Sequence, residues 1–482
     1  VGAGCEEVPL GVLAALGERQ LSGALDFAHL MGGAVDAGHG RLPFSFGPLR
    51  FESSKLSRVD LAGRGKGIAA TEDIQAGELL IVARPIELLC PGDPAWRPSA
   101  DLEPILADKV HQRVLQDAQA AEEVFSLYEG PGSPYSPCWQ PQKWDPGAFA
   151  PPTPGGAGSR QLLERAQRVV KHNAHRWPGR DPAAGGPAPG LGLWLWPPMV
   201  NHAVEDDGRP NCAHVFIGDA MVFRATWPIK AGEEVLDRYS TPLVDRFEWT
   251  LRVLKEHGME DGTYRAAAVR WGELDSAVAS VRPLPCSRAL LVEALGRVER
   301  VLRWSAGSTL ALSEADFRDL RERYRAAAAE ARAEALAGGP AGAQGELLLA
   351  PPEVRCLNLL CSLALRWEGR AAALELRAEL PRRVALARPF HFAAVKLWAE
   401  LWSRLRELRS LGAQLSAAEQ ALEAEVSSEV LRCASFWLGR EPEGRELPEV
   451  FVPWVRGAGG FHFGWFSSVP TEALLTARGD GA

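Results

Sequence analysis

Four short segments of the chain hold residue types that could surround a ligand. The first, Gly63–Ala70, has glycines at alternate positions, and a glycine lets the backbone approach a ligand closely because it has no Cβ. The others are Asn201-His202 with Pro210-Asn211, then Phe223-Arg224-Ala225, and finally Gly232-Glu233-Glu234 running on to Tyr239. Any one of these segments is common by chance, so the signal is the presence of all of them in this order.

Together the segments resemble the SET-domain protein lysine methyltransferases, especially the branch of SET-and-MYND and TPR-linked SET proteins. Gly63–Ala70 resembles the glycine-containing strand and turn near the start of that domain. Asn201-His202 with Pro210-Asn211 resembles its NHSCxPN segment, and Gly232 to Tyr239 resembles its GEEL ending, which closes on a tyrosine. The resemblance covers roughly residues 56–258.

The resemblance implies S-adenosylmethionine as cofactor and a lysine-bearing protein, histone or non-histone, as substrate. In family terms the Asn201 side chain and the His202 backbone hold the amino-acid end and the adenine edge of the cofactor. Asn173 resembles a further cofactor-contacting asparagine of the same branch. The implied cofactor-binding residues are Lys66, Gly67, Ile68, Asn173, Asn201, His202 and Tyr239. Tyr239 is also the implied catalytic residue, and no metal ligand is implied.

The chemistry that the resemblance implies depends on the protonation of the target lysine. A lysine amine has a pKa of about 10.4 in water, so it is mostly protonated and non-nucleophilic at neutral pH. A narrow apolar channel disfavours the ammonium form and lowers that pKa, and a nearby sulfonium acts in the same direction. The Tyr239 hydroxyl and backbone carbonyls would then orient the neutral amine, and positioning of this kind lowers the barrier without covalent chemistry.

The sequence departs from the family pattern at three places. Ala203-Val204 stands where the family has Ser-Cys, and Glu205 to Arg209 fill what is a one-residue gap in the family. The cysteine cluster that follows the final tyrosine in many members is missing. Residues 90–160, which form an insert in the domain, have too few ligands for a MYND zinc finger. We therefore expect no zinc, and we expect helices after Thr241 to replace the cluster in closing the site. The architecture is also similar to the Rubisco large-subunit and ribosomal-protein SET methyltransferases.

The composition excludes several classes of protein. With 46% hydrophobic and 24% charged residues, the 482-residue chain has the balance of a globular protein and the length for more than one domain. A net charge of -8 argues against a general nucleic-acid binder, so no direct nucleic-acid partner is expected. No stretch reaches about 18 consecutive apolar residues, so no membrane span is expected.

The cysteines and the first residues bear on the compartment. The eight cysteines are scattered, with no CxxC pair and no Cys/His cluster, which indicates reduced thiols inside a cell and gives no zinc-ligand spacing. The first residues lack the basic segment and apolar run of a secretory signal. We therefore expect an intracellular protein, cytoplasmic or nuclear, and the sequence does not exclude a plastid.

The order of elements predicts an α+β protein: a β-rich SET domain with a helical insert, followed by an all-α C-terminal domain. The predicted divisions are an N-terminal extension at 1–55, the SET domain at 56–258 with its insert at about 90–160, and the helical domain at 259–482. Ser313 is expected to cap one helix of the last domain. Another follows Pro389, where apolar residues fall at helical spacing: Ala394, Trp398, Leu401, Leu405 and Leu408.

Two local patterns predict turns in the SET segment. Val215–Ile217 and Met221–Phe223 flank Gly218-Asp219 and predict a hairpin. Ile229–Glu233 repeats the pattern of Ile74–Glu78, and both are predicted to be surface turns that lead into strands. Glu233 and Glu234 are interpreted as a solvated turn, or else as partners of a nearby arginine.

A second function stays open at this point. The changes at Ala203-Val204, the longer gap before Pro210 and the missing cysteine cluster would also suit a catalytically degenerate SET module that serves as a protein-binding scaffold. Retention of Asn201, His202 and Tyr239 favours the active enzyme.

Overall fold

The computed structural model describes the greater part of the chain after residue 50. The described residues are 51–61, 65–97, 101–130, 157–177, 190–203, 210–217, 219–237, 287–305, 309–337, 351–387, 390–438, 452 and 455.

The described elements begin with strands and end with helices. The strands are β1 Phe51–Glu52, β2 Leu56–Leu61, β3 Gly65–Ala70, β4 Leu79–Ala83, β5 Pro85–Leu89, β6 Ala174–Trp177, β7 Gly190–Trp194, β8 Asn201–His202, β9 Cys212–Ile217, β10 Ala220–Ala225 and β11 Leu236–Asp237. The helices are α1 Leu102–Gln116, α2 Ala118–Val124, α3 Ala157–Asn173, α4 Ser287–Trp304, α5 Glu314–Ala337, α6 Pro351–Trp367, α7 Arg370–Ala387, α8 Phe392–Ser410 and α9 Ala417–Leu438. Short 3-10 turns occupy Pro197–Met199 and Thr309–Ala311. The architecture is α+β, as the sequence predicted.

Small sheets make up the β-rich part. A four-stranded sheet has the order β1-β4-β10-β9, a three-stranded sheet has the order β5-β7-β6, and β2 and β3 form a hairpin. The β9–β10 hairpin predicted from the sequence is present, with Val222 opposite Val215 and Ala220 opposite Ile217. The short strands β8 and β11 pair in parallel, although 33 residues separate them in the chain at their nearest ends.

The two similar turns lie beside each other and are hydrogen-bonded together. The backbone N–H of Ile74 donates to the carbonyl of Ile229 at 2.8 Å, and the reverse bond is 2.9 Å long. Gly77 and Gly232 take the same place in their turns with φ of 92° and 87°, a conformation that favours glycine because it has no Cβ. The prediction of turns is confirmed, but their mutual pairing was not predicted.

The Phe223-Arg224-Ala225 segment fixes the first of these turns. The Arg224 Nη1 donates to the Gly77 carbonyl at 2.8 Å, and the Gly77 N–H donates to the Ala225 carbonyl at 2.7 Å. Arg224 is 1% exposed, and burial lowers the pKa of its guanidinium to about 10. This segment of the sequence pattern therefore has a structural role.

The four-stranded sheet is covered on both faces. Because side chains alternate along a strand, Val215 and Val222 point to one face while Cys212 and Phe223 point to the other. The Cys212 face belongs to the same apolar core as α1, α2 and α3. The Val215 face packs against α7, α8 and α9, with Trp398 in the same core.

Helices α4 to α8 share a third core, so the C-terminal helices form a packed body of their own. Ser313 caps α5 as predicted: the Asp316 N–H donates to Ser313 Oγ at 3.2 Å, and the Ser313 N–H donates to the Asp316 carboxylate at 2.9 Å. The apolar positions predicted for the helix after Pro389 are all buried on α8. The helical pattern was read correctly because its apolar face repeats every three or four residues.

Candidate active site

Strand β3, which carries the glycine segment, lies between β2 and the chain around Glu234. It pairs with β2 from Gly65 to Ala70. On its other edge the Val235 N–H donates to the Ile68 carbonyl at 2.7 Å, and the Ala70 N–H donates to the Glu233 carbonyl at 2.9 Å. The first and last segments of the sequence pattern are therefore direct neighbours.

Gly67 occupies the tightest point of this arrangement. A Cβ added there would lie 2.4 Å from Leu61 Cδ1, 2.8 Å from Glu234 Oε1 and 3.0 Å from Asn201 Nδ2. These separations are shorter than normal contacts, so only glycine lets Asn201 and Glu234 approach the strand this closely.

The Asn201 side chain joins three parts of the chain. Its Nδ2 donates to the Lys66 carbonyl at 3.0 Å and to Glu234 Oε1 at 2.8 Å. Asn201 is 7% exposed, so both bonds are shielded from water. Its Oδ1 accepts no hydrogen bond from any residue in the described ranges. We call Lys66, Gly67, Asn201 and Glu234 the asparagine cluster.

The main chain on either side of Asn201 is paired with the end of the GEE segment. Leu236 lies opposite Asn201 and Asp237 lies opposite His202 in the parallel ladder. The ladder continues past the strand, where the Ala203 N–H donates to the Asp237 carbonyl at 2.8 Å. Alanine in place of the family's serine therefore leaves this backbone pairing in place.

Asn211 forms hydrogen bonds to the same region. The sequence pattern includes this residue, but no function was predicted for it. Its Nδ2 donates to the Glu234 carbonyl and its Oδ1 accepts from the Leu236 N–H, both at 2.8 Å. Its own carbonyl accepts from the Thr226 N–H at 2.8 Å. The asparagine satisfies backbone groups just before β11 and at its first residue, and so fixes where that strand begins.

Lys66 and Ile68 both offer backbone carbonyls here: that of Lys66 accepts from Asn201 and that of Ile68 accepts from the Val235 N–H. Burial lowers the pKa of the Lys66 ammonium, and the carboxylate of Asp60 on β2 partly offsets this. The Ile68 side chain is fully buried in the core shared with α1 to α3, and its carbonyl is taken by Val235. Among the described residues the Ile68 side chain therefore packs in the apolar core.

A histidine and a carboxylate that sequence reasoning did not single out lie beside β8. His214 Nδ1 and Asp237 Oδ2 are 2.6 Å apart, with the histidine side chain 31% exposed and the carboxylate 6% exposed. Burial raises the pKa of the neighbouring Cys212 thiol, and the Asp237 charge acts in the same direction. In the parallel ladder of β8 and β11, Asp237 lies opposite His202, and His202 is 1% exposed.

Asn173 ends α3 and is held by a separate set of bonds. Its Nδ2 donates to the Tyr128 carbonyl at 2.6 Å and to the Val169 carbonyl at 2.8 Å. These bonds tie α3 to the segment after α2 and do not connect Asn173 to the asparagine cluster.

Two interpretations from the sequence concern the GEE ending itself. Glu233 is exposed, and its carboxylate accepts from the Lys230 N–H at 2.8 Å, as expected of a solvated turn. The same interpretation is wrong for Glu234, because its carboxylate accepts from Asn201. Tyr239, the implied catalytic residue, lies outside the described residues.

The described C-terminal helices pack on the β-rich part. The expectation that helices after Thr241 close the site stays a prediction, because residues 238–286 lie outside the described residues. The packing that the structure shows joins α7 to α9 to the Val215 face, whereas Cys212 on the other face donates to the Leu236 carbonyl at 3.3 Å and so lies on the side of β11. These helices support the sheet from behind the asparagine cluster.

In the described ranges the cysteines are buried and free, and no group of three or more His, Cys, Asp or Glu side chains is arranged to hold a metal ion. None of the helices in those ranges combines the length and the apolar character needed to cross a bilayer.

A protein-family model agrees with this geometry. Residues 65–240 match the family model of the SET domain, and this segment, which includes the whole asparagine cluster, is a SET domain. A search of curated proteins gave no match. A solved structure, the SET domain of LSMT bound to lysine and AdoHcy, aligns with 84% of this chain and 87% of its own at 11% identity and a TM-score of 0.23. A superposition this loose says nothing about the function of this chain.

Proposed function

We propose that the SET domain transfers a methyl group from S-adenosylmethionine to a lysine side chain of a protein substrate. The observation that carries the proposal is the bond from Asn201 to Lys66 and Glu234, which unites the glycine segment, the Asn-His segment and the GEE ending. A family model that spans residues 65–240 supports methyl transfer as the activity of this segment.

The residues of the asparagine cluster fit such a cofactor. S-adenosylmethionine carries a sulfonium and an ammonium, and these cationic groups need hydrogen-bond acceptors and negative charge near them. Asn201 Oδ1 is an acceptor without a partner in the described ranges, and the Glu234 carboxylate lies 2.8 Å from the same side chain. Asn201, the backbone of Lys66 and Gly67, and His202 would hold the cofactor. When bound, it supplies a methyl group on a positively charged sulfur, which a neutral amine can attack.

The protein's own part is to orient a lysine amine and keep it unprotonated. Tyr239 follows β11 by two residues, and we propose that its hydroxyl accepts or donates the hydrogen bond that aims the amine. A substrate lysine enters mostly as ammonium, so it must lose a proton before transfer, and an apolar channel favours that loss. Ordered groups near the reacting amine then lower the barrier by positioning.

A protein segment with basic residues suits this chain as substrate. Its net charge of -8 favours encounter with positively charged segments at moderate salt. Histone and non-histone proteins both offer such segments, so the substrate class that we propose is a basic protein segment.

The scaffold alternative is favoured by one observation, the replacement of Ser-Cys by Ala203-Val204. Against it, Ala203 is fully buried and its N–H is paired with Asp237, so the backbone on which the Asn-His segment depends is maintained. A module that has lost turnover needs no acceptor at Asn201 and no carboxylate at Glu234, yet this chain has both.

Calorimetric titration of the full chain with S-adenosylmethionine tests the proposal. We expect saturable one-to-one binding that Asn201→Ala weakens by tenfold or more, because the substitution removes the acceptor and releases Glu234. Asn358→Ala on α6 is the matched control and should bind as the parent does, since Asn358 lies outside the SET domain. Absence of binding by a folded parent chain would contradict the proposal and favour the scaffold.

A further inference from the structure

The His214 ring has one nitrogen that could accept a proton. Within the described ranges the ring makes a single hydrogen bond, through Nδ1 to Asp237, and Nε2 has no hydrogen-bond partner. The histidine side chain is 31% exposed, so a small group can reach it. Methyl transfer to lysine requires such an acceptor, because a lysine amine with a pKa of about 10.4 enters the site as ammonium.

The Asp237 carboxylate determines which nitrogen of the ring carries the proton. Asp237 Oδ2 lies 2.6 Å from His214 Nδ1. A carboxylate oxygen can only accept a hydrogen bond, so Nδ1 donates, and the neutral ring then has its lone pair on Nε2. The Asp237 side chain is 6% exposed, which shields the bond from water. The pair therefore presents a proton acceptor at Nε2.

Two phenylalanine rings hold the imidazole in place. The Phe223 ring centroid is 5.2 Å from that of His214, with the planes tilted by 34°. The Phe216 ring meets the imidazole edge-on at 5.9 Å between centroids. Both phenylalanines belong to or pack against the apolar core shared with α1 to α3. A ring held by these contacts and by Asp237 keeps its acceptor in one direction, which favours proton transfer by positioning.

His214 lies on the side of the sheet where the cofactor is proposed to bind. Side chains alternate along β9, so His214 shares the face of Cys212, whose Sγ donates to the Leu236 carbonyl at 3.3 Å. Asp237 lies opposite His202 in the parallel ladder of β8 and β11. The pair of His214 and Asp237 is therefore directly beside the Asn-His segment.

The other titratable or charged groups around β9 do not suit this role. Burial raises the pKa of the Cys212 thiol well above its usual value, so the thiol stays neutral and protonated. Arg224 of β10 lies opposite Ala213 and so on the other face of the sheet, where α8 also packs. The Glu234 carboxylate already accepts a hydrogen bond within the asparagine cluster. His202 is 1% exposed, which leaves its ring out of reach of a substrate.

We infer that His214 takes the proton from the substrate ammonium, with Asp237 as its positioning residue, an inference that rests on the proposed function. His214 Nε2 accepts the proton, so the substrate becomes a neutral amine and the ring becomes an imidazolium, which the adjacent carboxylate stabilises. The amine lone pair then forms a bond to the methyl carbon while the bond from that carbon to sulfur breaks, which leaves a neutral thioether and a methylated ammonium. The imidazolium returns its proton to water.

Nuclear magnetic resonance of the full chain, isotopically labelled on its histidine ring nitrogens, tests the acceptor in the absence of cofactor. The chain has ten histidines, and the His214 signals are those that disappear in His214→Gln. We expect the neutral His214 ring to carry its proton on Nδ1, and Asp237→Ala to shift the ring towards the Nε2–H form. A neutral parent ring with its proton on Nε2 overturns the inference, because that nitrogen then has no lone pair to offer. A ring that stays protonated at every pH where the chain is active also overturns it.

Initial rates of methyl transfer to lysate proteins, measured against pH, test the proton transfer itself. We expect His214→Ala to lower the rate at neutral pH by about a hundredfold, within the range for loss of a general base. The parent rate should level off once the ring is neutral, whereas the variant rate should keep rising with pH because the amine must lose its proton unaided. Added imidazole should partly restore His214→Ala, since a small base can enter the space that the side chain leaves.

Two further variants separate a missing base from a damaged site. His214→Gln keeps most of the side-chain volume, so it should show the same pH profile as His214→Ala but no response to imidazole. His175→Ala on β6 is the matched control, because His175 is a half-buried histidine of the same domain that packs edge-on against Trp194. Its rate and pH profile should match the parent. Binding of S-adenosylmethionine should be unchanged in all three variants.

The outcomes distinguish this inference from the proposed function. If the parent methylates lysine and His214→Ala is equally active, the inference alone is wrong. The same holds if the His214 variants lose activity with a pH profile parallel to that of the parent and no response to imidazole, since that is the result of a structural role. A folded parent chain that methylates no lysine overturns the proposed function and this inference with it.

Discussion

The side-chain nitrogen of Asn201 lies 2.8 Å from Oε1 of Glu234, and the same nitrogen lies 3.0 Å from the carbonyl oxygen of Lys66. Asn201 is 135 residues from Lys66 and 33 from Glu234 along the chain. One amide therefore fixes the relative positions of three distant segments, and changes around it should affect the cofactor before they affect the fold.

Glu234→Gln should weaken binding of S-adenosylmethionine while the protein stays folded. The glutamine oxygen can still accept from Asn201, but the negative charge near the cationic cofactor is lost. We expect a loss of affinity of about tenfold to a hundredfold, in line with about 1.5–3 kcal/mol for a charged hydrogen-bond partner, measured by calorimetric titration. Glu233→Gln is the matched control, because Glu233 is exposed one residue away and should bind normally.

Gly67→Ala should abolish cofactor binding and lower stability. The new Cβ would lie 2.8 Å from Glu234 Oε1 and 3.0 Å from Asn201 Nδ2, so both side chains must move. We expect a loss of about 1–3 kcal/mol in the free energy of unfolding, as for other overpacked sites, measured by denaturant titration. Gly296→Ala on α4 is the control. Its Cβ would meet only Arg300 at 3.8 Å, and alanine in a helix should stabilise by about 1 kcal/mol. Unchanged binding in Gly67→Ala would show that the cluster is not tightly packed in solution.

Trp398→Ala should destabilise the SET domain although the tryptophan lies on α8. Its side chain is 1% exposed in the core that includes Val215 and Val222 of the sheet. Removing it should lower the free energy of unfolding by about 3–5 kcal/mol. Trp398→Phe should cost much less, because the ring is largely kept and the buried indole N–H, which has no hydrogen-bond partner, is removed. A loss well below about 3 kcal/mol for Trp398→Ala would mean that the packing of α8 on the sheet contributes little.

Tyr239→Phe should slow methyl transfer strongly and leave cofactor binding nearly unchanged. The proposed role of the hydroxyl is to act on the reacting amine, so its loss should appear in kcat rather than in binding of the ground state. Initial rates at saturating cofactor, together with calorimetric affinity, separate the two effects. Equal turnover in the parent and the variant would remove Tyr239 from the mechanism.

Local patterns were enough to predict much of the fold. The capping box at Ser313 and Asp316 and the apolar repeat through Trp398 depend on residues a few positions apart, and the structure has both. The strands β9 and β10 were predicted for the same reason, since a hairpin is a local structure. The SET domain was predicted from the order of its segments, and the family model confirms it.

The parts of the site that escaped prediction depend on contacts between distant residues. Glu234 looks like its exposed neighbour Glu233 in the sequence, and only the approach of β3 and Asn201 distinguishes them. The contact of His214 with Asp237 arises because β9 and β11 meet, which no spacing along the chain reveals. The alternation of side chains along β9 offered one usable signal, since it places a histidine among inward-facing positions.

Transfer of a radiolabelled methyl group from S-adenosylmethionine to proteins of a cell lysate tests whether this chain methylates lysine. The full chain is incubated with the lysate beside Tyr239→Phe and Glu234→Gln, and mass spectrometry maps the modified residues. We expect label on lysine side chains of one or a few proteins with the parent chain, and a strong reduction with both variants. Label on residues other than lysine, or no label from a folded chain that binds the cofactor, would contradict the proposed function.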